Sequence, residues 1–405
     1  MRQYVLKPLI LLGILIVAYS TLLVMVFIPT PKILINHIDT AVKSIEAEGL
    51  YRNPVLAYAG RIPLDTITDE TMLNKARGNS DISPLRNAFS GYARYWHGYL
   101  VFLRPMLMFF NYGTIRYLSL FAFTLLMFSI AALLIKKLGM LYTILFGFVL
   151  CMSNYNIIPY SLQYSSVFYV MLCAMLVIML INQDLLQKKP WLACVFLAIG
   201  SITNFVDFLT APLLTLGIPL TLCYILRKDK GDFSFKNNLH YIFIGSIYWM
   251  AGYGFTWISK WFLSYFIDSG DITESVFTAV RFRILGNEQY PPDRIQMLKS
   301  NISSMYPIVL IVIGFVIILV LLLLIRKHHK PINKILANSP ILCLCLFPYL
   351  WYIVLANHSE IHYWFTYRIQ IITIFALGAF LISCLPEKIN IKSIFSGCFS
   401  RDPLP

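Results

Sequence analysis

Long apolar runs separated by short polar stretches dominate the chain from end to end. A transmembrane helix needs about 20 predominantly apolar residues, and continuous runs without two-residue alternation favour helices over barrel strands. The pattern predicts an all-α fold, a polytopic membrane helical bundle of about ten transmembrane helices that forms one integral membrane domain over 1–405. The predicted spans are 6–28, 117–135, 138–155, 160–181, 191–209, 211–226, 241–263, 306–325, 339–356 and 369–385.

Two polar intervals are too long to be simple connectors. They are 29–116, after the first predicted span, and 264–305, before the eighth. Long loops in compact proteins are usually functional or disordered. The first interval carries amphipathic patterns, which predict interfacial helices over 36–49, from about Thr68, and over 97–110.

Local residue types indicate where two of these interfacial helices begin. Asn36 is a typical N-cap, and Ile38, Val42 and Ile45 then share one helical face. In the second helix, Thr68 is the expected cap, followed by acidic residues in the first turn. We therefore expect folded, membrane-facing elements in the first outer loop.

Composition and charge narrow the class of protein. Hydrophobic residues make up 58% of the chain and charged residues 13%, about half the charged fraction of a soluble domain. The 33 Lys and Arg residues form no basic domain, so nucleic acid is not an expected partner and membrane lipids are. The N-terminal apolar run is too long for a signal peptide and is expected to remain as an uncleaved span.

The distribution of charge between loops predicts the orientation of the chain. The termini and the connections near 136, 182–190, 227–238 and 326–338 hold 17 basic and 5 acidic residues, and the remainder holds 16 and 14. Excess positive charge marks the cytoplasmic side. Both termini are therefore expected in the cytoplasm, with the two long intervals outside.

Three charged residues accompany predicted spans at the outer face: Asp207, Lys260 and Arg368. A charge at the centre of a span costs about 2.5–3.5 kcal/mol, so each needs an explanation. Asp207 can cap the break between two spans, and the two cations can reach the headgroups between aromatic residues. All three residues are predicted to lie at the same face of the membrane, which instead favours a common substrate-binding site.

The first outer loop supplies further candidates. Asp39 can be a catalytic base or a capping residue paired with Lys43, and Asp65 and Asp69 are the other acids considered. Basic and aromatic residues follow around Arg94, His97 and Arg104. Such clusters suit phosphate and sugar-ring binding, although they also suit an interfacial belt.

His358 and His362, four residues apart, complete the set of candidates. Polar contacts to a substrate or a headgroup are favoured over metal, because no third ligand lies nearby. The chain has no Walker motif, nucleophile elbow or D-x-D sequence. The sequence indicates no specific cofactor, and it leaves a divalent cation open without indicating one.

This layout resembles the GT-C superfamily of polytopic glycosyltransferases, which use polyprenyl-phosphate-linked sugars. The likeness rests on a first span, a long acid-bearing outer loop and a many-span bundle with basic residues on the same face. Some segments also look like bacterial membrane proteins found with cell-envelope polysaccharides, which implies a bacterial plasma membrane. These segments are Arg94-Tyr95-Trp96-His97-Gly98-Tyr99, Asn204-Phe205-Val206-Asp207-Phe208-Leu209-Thr210 and His362-Tyr363-Trp364-Phe365-Thr366-Tyr367-Arg368.

The resemblance implies transfer of a sugar from a polyprenyl-phosphate donor to a glycan or lipid acceptor outside the cytoplasm. A carboxylate of the first outer loop would be the base, and Asp39 matches by position, with Asp65 and Asp69 as alternatives. Lys260, Arg368 and one of Arg94 or Arg104 would bind the lipid phosphate. The other functions considered are a flippase of a lipid-linked saccharide and a membrane O-acyltransferase with His97 or His362 as its base.

Overall fold

The architecture follows from apolar segments that form helices, with caps and turns at their polar ends. The computed structural model describes residues 2–48, 64–90, 94–227, 234–268, 272–306, 314 and 332–385. Within these ranges the regular elements are all helical, which confirms the all-α part of the predicted fold class. The α-helices are α1 Arg2–Phe27, α2 Lys32–Glu48, α3 Thr66–Arg77, α4 Pro84–Phe89, α5 Leu100–Phe109, α6 Tyr112–Leu138, α7 Met140–Met152, α8 Leu162–Leu180, α9 Gln183–Gln187, α10 Lys189–Val206, α11 Leu214–Arg227, α12 Phe235–Asp268, α13 Ile272–Leu285, α14 Arg294–Met305, α15 Ile332–Asn338, α16 Phe347–Val354, α17 Ala356–Ile361, α18 Tyr363–Thr366 and α19 Ile371–Cys384. Short 3₁₀ segments lie at Ile158–Tyr160, Ser339–Leu346 and Tyr367–Gln370.

Six helical segments in the described ranges are long and apolar enough to cross a membrane, against the ten that the sequence predicts. They are Val5–Phe27, Tyr112–Leu138, Leu162–Leu180, Lys189–Val206, Ile335–Val354 and Tyr363–Cys384. The last begins before Arg368, so this residue lies inside a span and not at its start.

The other four predicted spans have no counterpart among these six segments, for separate reasons. Those at 138–155 and 211–226 correspond to the helices α7 and α11, of 13 and 14 residues. The prediction for 241–263 falls within α12, which has 34 residues but is less apolar because it carries Trp, Tyr, Ser and Lys side chains. The prediction for 306–325 lies almost entirely outside the described residues.

The first outer loop folds onto the protein. The apolar face of α2, with Leu34, Ile38 and Ile45 fully buried, belongs to a hydrophobic cluster that also contains residues of α1, α3 and α5. Burial of this face against protein stabilises α2 by removing apolar surface from water and lipid headgroups. The interfacial helix predicted over 36–49 is therefore a packed element.

The predicted starts of three helices in this loop are wrong by two to four residues. The first begins at Lys32, so Asn36 lies inside α2 and not at its N-cap. The second begins at Thr66 because Asp65, and not Thr68, is its cap. The third begins at Leu100, since His97 has a positive φ of 59° that ends any helix there.

Close contact between α10 and α12 sets the position of the polar residues at the ends of both helices. A Cβ atom on Gly200 would lie 2.1 Å from the carbonyl oxygen of Trp249, and one on Gly252 would lie 2.1 Å from the carbonyl oxygen of Leu197. Only glycine permits the two backbones to approach this closely. The pair therefore fixes the ends of α10 and α12 relative to each other.

Candidate functional site

Asp65 directly precedes α3 and caps it. Its carboxylate accepts a hydrogen bond of 3.0 Å from the backbone N–H of Thr68, and the side chain of Trp364 is a polar neighbour of this carboxylate. Only 5% of Asp65 is exposed. Burial raises the pKa of this carboxyl above its ordinary value, and the hydrogen bonds offset only part of the effect. Asp65 is thus a buried acid in contact with an aromatic residue from the far end of the chain.

Asp69, one turn further along α3, ties this helix to the start of α8. Its carboxylate accepts hydrogen bonds from the hydroxyls of Tyr112 and Ser161, at 3.0 and 3.1 Å. It also accepts from the backbone N–H groups of Leu162 and Gln163, at 3.0 and 3.1 Å. Burial is the largest influence and raises the pKa of Asp69 to about 6 despite these bonds. Asp69 therefore holds α3 against the N-terminus of α8, where a carboxylate is favourable.

Tyr164, in the first turn of α8, connects these acids to Arg368. The guanidinium carbon of Arg368 lies 4.4 Å from the centroid of the Tyr164 ring, and Tyr164 interacts electrostatically with Arg368, Asp65 and Asp69. Tyr164 and Arg368 are both buried. A buried phenol therefore lies against one cation and within electrostatic range of two carboxylates.

The guanidinium of Arg368 uses only part of its hydrogen-bonding capacity. Its Nε donates to the carbonyl of Ser153 at 3.0 Å, and its Nη1 donates to the carbonyl of Trp364 at 3.1 Å. The Nη2 atom is buried without a hydrogen-bond partner in the described part of the chain. Because an unpaired buried donor is costly, this atom marks a place where an anionic group would be stabilised.

His358 and His362 form a second polar group beside the same segment. Their rings lie 4.9 Å apart, and His358 Nε2 is 2.9 Å from the carbonyl oxygen of Leu209. Burial lowers the pKa of His358 well below its ordinary value, with the neighbouring His362 and Arg283 adding to the effect. Burial and Arg283 lower the pKa of His362 to about 4. Both imidazoles are therefore neutral at physiological pH.

The turn that follows α10 joins this pair to the first outer loop. Asp207 is 2% exposed, and both of its carboxylate oxygens accept from the backbone N–H of Thr210, at 3.2 and 3.1 Å. Phe208, which follows Asp207 in this turn, packs against the rings of His97 and Tyr99, with centroid distances of 5.1 and 5.3 Å. Asp207 thus has the capping role that the sequence offered as one interpretation.

Lys260 and Arg104 are buried cations that donate hydrogen bonds to backbone carbonyls. Lys260 donates to the carbonyl of Ala88 at 2.9 Å and lies 4.5 Å from the centroid of the Phe89 ring. Arg104 donates to the carbonyls of Val26 and Pro29 at 2.7 and 2.9 Å, and also to the carbonyl of Ala76. Burial lowers the pKa of Arg104 to about 10. Arg104 therefore joins the C-terminal ends of α1 and α3.

The other candidates of the first loop lie nearer the surface or among aromatic rings. Asp39 is half-exposed and forms a 2.5 Å ion pair with Arg77 of α3. The carbonyl of Arg94 accepts hydrogen bonds from the indoles of Trp257 and Trp261. His97 is buried, and its Nδ1 lies 3.4 Å from the Tyr99 hydroxyl.

The structure therefore brings together some of the predicted residues and separates others. Arg368 contacts Tyr164, and Asp65 and Asp69 lie within electrostatic range of the same phenol, whereas Asp39, Arg104 and Lys260 belong to different sets of contacts. Sequence reasoning missed Tyr164, for which the only local signal is the cap at Ser161. It also missed Arg283, a cation within the second outer loop.

Within the described ranges, no three His, Cys, Asp or Glu side chains are placed to share a metal ion. Comparison with protein-family models, with curated proteins and with solved structures gives no match. A function must therefore be argued from the residues themselves.

Proposed function

We propose that this protein is a membrane glycosyltransferase that moves a sugar from a polyprenyl-phosphate donor to a cell-envelope glycan or lipid acceptor on the extracytoplasmic face. One observation carries the proposal. Asp65, an acid of the first outer loop, has Trp364 as a polar neighbour, and it interacts electrostatically with Tyr164, over whose ring the guanidinium of Arg368 lies. A base, an aromatic platform and a cation are the three groups that the reaction requires.

Asp65 would act as the general base. As the acceptor hydroxyl oxygen attacks the anomeric carbon, its proton passes to the Asp65 carboxylate and the bond between the sugar and the phosphate oxygen breaks. The products are the new glycoside and the free polyprenyl phosphate, and the proton on Asp65 is later lost to water. The raised pKa of this carboxyl makes it a stronger base than an exposed aspartate.

Arg368 would stabilise the leaving phosphate. Negative charge grows on the phosphate as the glycosidic bond breaks, and a fixed cation in a buried site lowers the energy of that transition state. The Nη2 atom of Arg368 has no hydrogen-bond partner within the described ranges, so a phosphate oxygen would satisfy it. Trp364, adjacent to Asp65, offers a face for stacking of the sugar ring.

Asp69 would position the base without taking part in the reaction. Its four hydrogen bonds hold α3 against α8, so a proton transfer at this carboxylate would break the contacts that place Asp65. Asp39, the acid closest to the first span in sequence, stays an alternative base. Its ion pair with Arg77 at the surface supports this role less well.

Purified protein incubated with radiolabelled polyprenyl-phosphate sugars and cell-envelope acceptors tests the proposal. Appearance of label in the acceptor, with release of polyprenyl phosphate, is the expected result. Movement of the intact lipid-linked sugar between the leaflets of a liposome, without transfer, would instead support a flippase. Transfer of an acyl group to the acceptor would support the O-acyltransferase alternative.

A further inference from the structure

A long apolar groove runs along the outside of the bundle, apart from the site described above. Its volume is about 970 Å³, and it lies between α12 and α16. On α12 its wall contains Phe243, Ser246 and Met250, and on α16 it contains Leu350 and Val354. These residues recur every three or four positions, so each helix offers one continuous face to the groove.

The groove has a cationic mouth at one end. Lys189, at the start of α10, and Lys236 and His240, near the start of α12, line that end. Partial burial and the charge of Lys189 lower the pKa of His240, so the two side chains lie within electrostatic range of each other at this end of the groove. Among the described residues that line the groove, none is acidic. The mouth therefore favours a negatively charged group.

We propose that this groove binds one acyl chain of an anionic phospholipid, with the lipid phosphate held at Lys189 and Lys236. Phe243, Met250, Leu350 and Val354 are each more than half exposed, and a hydrocarbon chain would cover them. The phospholipid belongs to the leaflet on the Lys189 side, which the charge distribution predicts to be the cytoplasmic one. This site is independent of the proposed transferase site.

The dimensions suit such an occupant. Lys236 and Met250 lie about 21 Å apart along α12 at the α-helical rise, whereas one leaflet of hydrocarbon is about 15 Å thick. An acyl chain whose phosphate sits at Lys236 would therefore reach past the residues at the middle of the groove. Its volume also lies within the usual range of about 300–1,000 Å³ for small-molecule sites.

Quenching of tryptophan fluorescence by brominated lipid tests the proposal, since Trp351 lines the groove. The full chain would be placed in phosphatidylcholine nanodiscs that contain increasing fractions of dibrominated phosphatidylglycerol. Subtraction of the Trp351→Phe variant gives the signal of Trp351 alone. We expect phosphatidylglycerol to quench this signal at a fraction about tenfold or more below that required for brominated phosphatidylcholine.

The double variant Lys189→Gln/Lys236→Gln should abolish this preference for phosphatidylglycerol. The single variant Lys136→Gln, on the predicted cytoplasmic end of α6, is the control and should keep it. Equal quenching by the two lipids in the parent protein would overturn the proposal. Absence of quenching by either lipid would also overturn it, since it would mean that a protein segment or a second copy of the chain covers the groove.

Discussion

Buried charges in this protein have two different uses, which their residue types alone do not distinguish. Arg104 and Lys260 donate hydrogen bonds to backbone carbonyls at helix C-terminal ends and so satisfy these acceptors. Arg368, which is equally buried, keeps one nitrogen without a partner within the described ranges. Sequence analysis identified Lys260 and Arg368 as exceptional because charges near spans are costly, and it identified Arg104 as a candidate for phosphate binding. Only the packing of distant segments shows which of them keeps an unpaired donor in the described part of the chain.

The histidine pair leads to a prediction on stability and pH. Because the pKa of His362 is lowered to about 4 in the folded protein, the unfolded chain binds a proton more readily between about pH 6.5 and pH 4. The free energy of unfolding should therefore decrease as the pH falls through this window, by up to about 3 kcal/mol from this residue.

Thermal unfolding midpoints in detergent, measured from pH 7.5 to 4.5, would show this effect. The variant His362→Asn cannot take up the proton, so its midpoint should decrease less steeply on acidification. A slope equal to that of the parent protein would mean that other groups cause the acid sensitivity.

At the level of the elements, helix types were predictable but helix ends were not. Apolar runs and amphipathic spacing indicated most of the described helices, including α2 and α3. The ends depend on more than local residue types: Asp65 replaces the expected cap by accepting from the Thr68 N–H, with Trp364 as a polar neighbour, and Phe208, in the turn after Asp207, packs against His97 of the first loop. Such contacts join residues more than a hundred positions apart and leave no local pattern.

The contact of α10 with α12 gives a prediction at this level. A Cβ on Gly252 would meet the Leu197 carbonyl at 2.1 Å, whereas one on Gly254, on the same helix, would meet nothing within 4 Å. We expect Gly252→Ala to separate the helices and lower the free energy of unfolding by about 2 kcal/mol or more.

The matched variant Gly254→Ala should instead stabilise the helix by about 0.5–1 kcal/mol. Thermal or denaturant unfolding in detergent measures both variants. Equal effects of the two substitutions would contradict the close approach of the helices.

For the whole molecule, composition was enough to predict a helical membrane protein, and the structure bears out that class. The described ranges contain six candidate spans and do not confirm ten, since the apolar runs at 138–155 and 211–226 form helices of only 13 and 14 residues. Hydropathy alone does not distinguish a short buried helix from a span. The sequence predicted that charged residues lie near the ends of spans. It did not predict which residues contact Arg368.

Membrane orientation stays a prediction that labelling can test. Single cysteines at Ser80 and Ser234, in a background without reactive cysteines, should react from opposite sides of the membrane with an impermeant maleimide. Ser80 should be accessible from outside and Ser234 only after permeabilisation, as the 17:5 against 16:14 charge distribution predicts. Reaction of both from the same side would overturn the assigned orientation.

The rate of sugar transfer by two aspartate variants tests the central claim most directly. Asp65→Asn removes the proposed base but keeps a side chain of the same size, and we expect a loss of about 10²–10⁴ in rate. Asp39→Asn, which breaks only a half-exposed ion pair with Arg77, should cost less than about 1 kcal/mol of stability and leave the rate nearly unchanged. Both proteins should insert into the membrane and purify as the parent does. Full activity of Asp65→Asn together with loss of activity in Asp39→Asn would contradict the account and assign the base to Asp39.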